Sequence, residues 1–155
     1  MVESQDEIYF SRTDVNELLS SFSRHGFTLE EREWPSVEHY FQAMKFENPD
    51  HQDAIRAAGH PRKARRMGRS RLRRIRQDWR EIRRVIMTRG VYMKCRTHPE
   101  VAERLLATGS ARLVESSAYD YYWGCGRDRR GHNHFGRVLM NVRDKLREEQ
   151  AQNGP

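Results

Sequence analysis

A chain of 155 residues with 29 Lys and Arg against 22 Asp and Glu carries a formal net charge of +7 and has the length of one domain. Its two cysteines, Cys95 and Cys125, exclude a disulfide framework, and the first ten residues lack the basic and apolar regions of a signal peptide. No apolar run approaches the roughly 20 residues that span a bilayer, so we expect a cytoplasmic protein with no membrane partner.

The spacing of apolar residues predicts a mainly α-helical, compact single domain with at most two or three short strands. A strand is expected at 8–10, a short helix at 14–22, and a strand or loop at 27–34. Prolines, capping residues and glycines delimit helices expected at about 35–46, 49–59, 61–68, 78–93, 99–108 and 135–146. Residues 120–133 are expected to form an ordered loop, and 112–115 are too short to assign. We place the domain at 1–147 and a flexible tail at 148–155.

The positive charge is concentrated in one segment. Residues 62–84 contain eleven Arg and one Lys against one Asp and one Glu, a local net charge of +10, so the rest of the chain sums to −3. Such a segment attracts phosphorylated ligands or nucleic acid, and the guanidinium fork suits phosphate. Arg65 and Arg69 are the candidate contacts. The alternative, a solvated helical face that keeps the protein soluble, stays open.

A polar stripe is predicted on the helix at 35–46. At 100° per residue, the apolar face consists of Val37, Tyr40, Phe41 and Met44. Glu38, Gln42 and Lys45 follow at i, i+4 and i+7 and form a second stripe beside it. This stripe is either an ordinary solvated surface row or one wall of a polar pocket that needs a second wall.

A glycine- and aromatic-rich loop offers that second wall. In residues 120–136, glycines permit close approach of backbone N–H groups to a ligand, Trp123 offers a face for stacking, and Asp120 is a candidate acid or base. The alternative is a structural turn with Trp123 in the core. Cys125, His132 and His134 match no standard zinc spacing, so we expect no metal.

Taken together, these segments resemble the NADAR (YbiA-like) family. The resemblance rests on WPSVEHYFQAMKF at 34–46, the spaced Trp79, Met87 and Lys94, the LLATG and LVE runs, DYYWGCG at 120–126, GHNHFGRVLM at 131–140 and the following Arg143. The order and spacing of these motifs agree over about residues 9–146. One departure is Ser20-Ser21-Phe22, where the family often has Ser-Asn-Phe.

The resemblance implies a compact helical hydrolase, without a cofactor, that cleaves the N-glycosidic bond between ribose C1 and a nitrogen base. Its ligand would be a phosphorylated riboside, such as an early intermediate of riboflavin synthesis, or an ADP-ribosyl adduct of guanine, with nucleic acid as a possible carrier. Its implied catalytic residues are Glu38, Lys45 and Asp120. Its implied substrate-binding residues are Trp34, His39, Gln42, Trp79, Trp123, Gly124, Gly126, Asn133 and Gly136.

The chemistry suggests how these residues would act. Cleavage builds positive charge on the sugar, so Glu38 and Asp120 would share charge stabilisation, protonation of the base and activation of water. Lys45 would instead attack the sugar and form a Schiff base if burial lowers its pKa. Two alternatives are a non-catalytic module that binds ADP-ribose or NAD and a plain nucleic-acid-binding protein, which would not need the glycine-aromatic loop.

Overall fold

Helices account for most of the regular structure in residues 6–153, the part of the chain that the computed structural model describes. The helices there are α1 (Val37–Ala43), α2 (Pro49–Arg56), α3 (Pro61–Gly68), α4 (Trp79–Thr97), α5 (Pro99–Ala107) and α6 (His134–Asn153). The strands are β1 (Glu7–Phe10), β2 (Phe27–Leu29), β3 (Arg32–Trp34) and β4 (Arg112–Glu115). The predicted mainly helical fold is confirmed, but there are four short strands within residues 6–153 where at most two or three were expected.

The strands form two separate pairs. β1 lies parallel to β4, with Tyr9 opposite Val114. β2 and β3 form an antiparallel hairpin, and its two turn residues, Glu30 and Glu31, have φ of 55° and 65°. Two successive positive φ angles match the twist of a two-residue hairpin turn. Residues 112–115 are a strand because they pair with a segment far away in the chain, a partner that a four-residue pattern cannot reveal.

Side-chain caps set the start of several helices. The side chain of Asn48 caps α2 by accepting the N–H of His51 at 3.1 Å. Pro35 does not lie in the first turn of α1 as expected, because Ser36 caps that helix by accepting the N–H of His39 at 3.2 Å. α6 continues through Asn153, so 148–153 extend a helix. Residues 154–155 of the expected tail, like 1–5 at the other end, lie outside the described residues.

The helix expected at 14–22 is wrong, because this segment forms successive turns. Asp14 Oδ1 accepts the N–H of Asn16 at 2.9 Å, and Glu17 Oε1 accepts the N–H of Leu19 at 3.2 Å. The hydroxyl of Ser20 donates to the carbonyl of Asp14. These local bonds compete with a helical hydrogen-bond ladder.

α1 lies at the centre of the molecule and is buried along its whole length. α2, α3 and α4 pack around it, and α4 also packs on α6. Its polar residues are therefore buried together with its apolar face, so Glu38 and Gln42 are enclosed rather than at an edge. No helix within residues 6–153 combines the length and the apolar character that crossing a membrane requires.

Candidate active site

Glu38 is a buried carboxylate with several hydrogen-bond donors around it. Its side chain lies on α1 and is 1% exposed. Oε1 accepts from Nε2 of Gln42 at 2.7 Å and from Nε of Arg65 at 3.1 Å. Oε2 accepts from the hydroxyl of Ser21 at 2.9 Å. The predicted stripe on α1 thus turns inward, and α3 and the 12–23 segment complete its surroundings.

The charges around Glu38 decide its ionisation. Burial alone would raise its pKa, but the guanidinium groups of Arg65 and Arg12, with the amide of Gln42, outweigh burial and lower the pKa below its usual value. Glu38 is therefore an ionised carboxylate at neutral pH inside the protein. A buried charge of this kind is sustained only by partners that stay in place.

Lys45 lies one turn beyond Gln42 and also has an unusual pKa. Burial lowers the pKa of its amine to about 8, and the nearby Arg69 and Arg65 act in the same direction against the opposing effect of Glu38. Nζ lies 3.4 Å from the carbonyl oxygen of Gly68. A lysine of this pKa has a substantial neutral fraction near pH 8, which is the form that acts as a nucleophile.

Asp120 binds Arg12 across the site. Its Oδ2 accepts from Nη2 of Arg12 at 2.7 Å, and its Oδ1 accepts the N–H groups of Tyr122 and Trp123 at 3.0 and 2.8 Å. Both carboxylate oxygens are thus engaged in holding the 120–123 turn and Arg12. Arg12 is itself 5% exposed, so this ion pair joins the loop after β4 to the segment after β1.

An open cleft of about 540 Å³ reaches Arg12 and Asp120 from the surface, and Arg65, which also lines it, is paired with Glu38. Arg12, Arg65 and Arg69 line it together with residues 117–122. Arg69 is exposed, whereas Arg65 reaches down to Glu38. The structure therefore brings Glu38, Gln42, Lys45, Arg65 and Asp120 to one place, as the polar pocket requires.

Two other predicted contacts lie away from this cleft. Trp34 is 1% exposed, donates Nε1 to the carbonyl of Leu29 and packs on Tyr40. His39 is 2% exposed, and its Nε2 lies 2.8 Å from the carbonyl of Ala58 while Nδ1 faces the hydroxyl of Ser36 at 2.7 Å. Burial lowers the pKa of His39, so a neutral ring ties α1 to the end of α2.

The remaining predicted contacts support the loop from beneath. Trp79 and Trp123 both pack on Phe41 and are 8% and 7% exposed. The side-chain amide of Asn133 accepts the N–H of Glu115 and donates to the carbonyl of Leu113. It therefore hydrogen-bonds to the backbone of β4 as a neighbouring strand would. The tight surroundings of three glycines leave no room for a Cβ: Gly124, Gly126 and Gly136.

Two residues that contact the predicted site directly were not singled out from the sequence. Arg12 binds Asp120, and the hydroxyl of Ser21 donates to Glu38. Ser21 stands where the family often has Asn, and this difference in the sequence could have pointed to it. Arg12 carried none.

Glu115, at the end of β4, is a third residue that was not singled out. Its carboxylate is fully buried and accepts from the N–H of Arg12 at 3.1 Å and from the hydroxyl of Ser117 at 2.6 Å. The LVE run contains Glu115, so the sequence carried a signal for it. Its donors are protein groups, and within residues 6–153 no group of three His, Cys, Asp or Glu is arranged to hold a metal ion.

Ionisable groups with shifted pKa values beside an open cleft are typical of an enzyme active site. The family model of the NADAR domain matches residues 2–147, and the chain belongs to this family. An N-glycosidase of Nostoc punctiforme is 42% identical over 133 residues, which cover 83% of this chain and 84% of that protein. N-glycosidase YbiA of Escherichia coli is 36% identical over 144 residues, covering 92% and 90%.

A solved structure and a longer relative extend the comparison. The NMR structure of Escherichia coli YbiA matches with a TM-score of 0.86 at 35% identity and covers 97% of this chain and 90% of that one. A riboflavin biosynthesis protein of Vibrio vulnificus is 37% identical over 150 residues, which are 96% of this chain but 41% of that protein. The prediction of an enzyme of the N-glycosidase class is confirmed by the relatives that bear this name.

Proposed function

We propose that this protein hydrolyses the bond between ribose C1 and a nitrogen base in a phosphorylated riboside. The observation that carries the proposal is the Glu38 carboxylate, which is 1% exposed and yet held ionised by Arg65 and Arg12 beside the cleft. Cleavage of an N-glycosidic bond builds positive charge on the sugar. A fixed carboxylate in surroundings of low dielectric stabilises such charge strongly.

Glu38 suits charge stabilisation better than proton donation. Its lowered pKa keeps it ionised at neutral pH, so it has no proton to give to the leaving base. Ser21, Gln42 and Arg65 fix its orientation before substrate arrives. Preorganised charge of this kind needs no rearrangement as the transition state forms.

Lys45 is proposed as the nucleophile. Its neutral amine attacks ribose C1, a C1–Nζ bond forms as the C1–N bond to the base breaks, and the base leaves with the electron pair and takes up a proton from Nζ. The sugar ring then opens to an imine as the remaining N–H proton passes to the ring oxygen. Water adds to C1, releasing the ribose aldehyde and restoring the amine. Its pKa of about 8 supports this role.

Asp120 and the arginines are proposed to hold the site and the phosphate. Asp120 keeps Arg12 in place through the 2.7 Å ion pair, which in turn helps to keep Glu38 ionised. Arg69 is exposed at the cleft and is therefore better placed than the engaged Arg65 to bind a substrate phosphate.

An early intermediate of riboflavin synthesis is the first candidate substrate, because a relative from Vibrio vulnificus is named for that pathway. The second candidate is ADP-ribosylated guanine in nucleic acid. It is favoured by five exposed arginines within residues 66–74, of which Arg69 lines the cleft: Arg66, Arg69, Arg71, Arg73 and Arg74. A segment with this density of exposed positive charge would attract a polyanionic carrier.

The experiment is a product assay with two substrates in parallel, a phosphorylated ribosylaminopyrimidine and a short DNA that carries ADP-ribosylated guanine. Release of base or of ADP-ribose supports the proposal and selects the substrate, and release from neither overturns it. Glu38→Gln should lower kcat at least about a hundredfold in a folded protein. The exposed Glu33 supplies the matched control, since Glu33→Gln should keep wild-type turnover. Wild-type turnover in Glu38→Gln would remove Glu38 from the mechanism.

A further inference from the structure

The aromatic side chains beside the cleft differ in whether they have a free face. Trp123, the stacking residue expected from the sequence, is 7% exposed, and its ring lies 5.4 Å from that of Phe41 and 4.8 Å from that of Tyr122. The ring of Tyr122 is covered in turn, because the guanidinium carbon of Arg83 lies 3.4 Å from its centroid. Trp123 is therefore almost wholly buried, and Tyr122, which also lines the cleft, is less exposed than Tyr121 and has Arg83 over one face of its ring.

Tyr121 has one covered face and an open side. It lines the cleft and is 45% exposed. A Cβ on Gly126, which has φ of +73°, would lie within 2.7 Å of Cδ1, Cε1 and Cζ of the Tyr121 ring. The near equality of these three distances puts that point over the ring face rather than beyond its edge. The absent side chain of Gly126 thus lets one face of the ring rest on the backbone, while Tyr121 as a whole stays 45% exposed.

The backbone also holds Tyr121 in place. Its carbonyl accepts the N–H of His132 at 2.8 Å, and the preceding Asp120 is fixed by Arg12. Tyr119 differs, since it is 85% exposed and meets the guanidinium of Arg127 5.5 Å from its ring centroid. Tyr121 is the ring of the two that is backed by rigid structure. A ring fixed in this way loses little conformational entropy when a ligand stacks on it.

We propose that Tyr121 is the platform on which the planar nitrogen base of the substrate stacks. The inference rests on the proposed function, which supplies the base. Arg65 lines the same cleft and is bonded to Glu38, so the base, the ribose and the carboxylate share one site. Stacking on an aromatic side chain tolerates different bases because each base has a π face. Tyr121 therefore contributes affinity for bases as a class.

The first test is equilibrium binding of two probes that differ in the base, guanosine 5′-monophosphate and ribose 5-phosphate. Tyr121→Ala should weaken binding of the nucleotide on the order of tenfold and leave binding of ribose 5-phosphate unchanged. Tyr121→Phe, which keeps the ring, should keep wild-type affinity for both probes. Equal affinity of the wild-type protein for the two probes, or an equal loss of both in Tyr121→Ala, would overturn the proposal.

A kinetic test separates this inference from the proposed function. With a substrate that the wild-type enzyme turns over, Tyr121→Ala should raise KM on the order of tenfold with little change in kcat. Absence of turnover by the wild-type enzyme counts against the proposed function. An unchanged KM in an active Tyr121→Ala enzyme counts against the platform alone.

Discussion

Nε of Arg65 lies 3.1 Å from Oε1 of Glu38, and this ion pair joins α3 to α1. Because the Arg65 guanidinium lowers the pKa of Glu38, Arg65→Met should raise it. Activity that needs ionised Glu38 is lost as the pH falls through this pKa, so the acid limb of the kcat/KM profile should move to higher pH. The measurement is the pH dependence of kcat/KM for the wild-type and variant enzymes.

The neighbouring Arg66 provides the control for Arg65→Met. It lies on the same helix but is exposed, so Arg66→Met removes an equal charge without touching Glu38. The acid limb of Arg66→Met should coincide with that of the wild-type enzyme. If both variants move the acid limb equally, the overall positive charge of the protein, and not the ion pair with Arg65, sets the pKa of Glu38.

Lys45 should set the alkaline behaviour. Its pKa is lowered to about 8 by burial, so a reaction that needs the neutral amine should speed up as the pH rises through about 8 and then level off. Borohydride added during turnover should trap the imine and attach the sugar to Lys45, as peptide mass spectrometry would detect. Lys45→Arg keeps the charge but supplies no comparable nucleophile, and should give no adduct. Undiminished turnover by Lys45→Arg would leave water as the direct nucleophile.

The sequence predicts one half of the site well, because a helix brings residues three and four apart to one face. This rule placed Glu38, Gln42 and Lys45 in one stripe. It could not show that the stripe is buried, since burial depends on α3 packing over α1. Contacts between residues far apart in the sequence could not be predicted either: Ser21 lies 17 residues from Glu38, and Arg12 lies 108 residues from Asp120.

The stacking residue shows a second limit of sequence reasoning. In the DYYWGCG run, the tryptophan has the largest aromatic surface and Tyr121 has no distinguishing pattern. The difference arises only in three dimensions, where Trp123 packs on Phe41 and Tyr121 rests on Gly126. Which aromatic faces are covered depends on partners from other elements, and residue type alone does not encode this.

Lys94 should make stability depend on pH. This lysine of α4 is 3% exposed, and Nζ donates to the carbonyls of Leu18 and Ser20 at 2.6 and 2.7 Å. Burial lowers its pKa to about 7, against about 10.4 in an unfolded chain. The fold therefore disfavours the charged amine, and this lowers the free energy of unfolding. The loss of stability is complete below about pH 7 and disappears as the pH rises from about 7 to about 10.

The measurement is the free energy of unfolding in urea from about pH 6 to about pH 10, for the wild-type protein and Lys94→Met. The difference between them removes contributions from other titrating groups. As the pH rises over this range, the free energy of unfolding of the wild-type protein should increase relative to that of Lys94→Met by several kcal/mol. Glu17 and Cys95 act on Lys94 and are present in both proteins. A difference that does not change with pH would mean that Lys94 has an ordinary pKa in the folded state.

Gly68 should be essential for the position of Gln42. Gly68 ends α3 where this helix crosses α1, and a Cβ there would overlap the side-chain amide of Gln42, which donates to Oε1 of Glu38 at 2.7 Å. Gly68→Ala should therefore displace the amide, weaken the support of the Glu38 carboxylate and lower kcat. Overpacking of this kind costs about 1–3 kcal/mol of stability, more than the gain of up to about 1 kcal/mol from the helix propensity of alanine.

Urea unfolding measures the effect of Gly68→Ala on stability, and kcat measures its effect on catalysis. Gly59→Ala is the control, because a Cβ on Gly59 would meet nothing within 4 Å. Wild-type stability and kcat in Gly68→Ala would show that Gln42 can move aside without affecting Glu38.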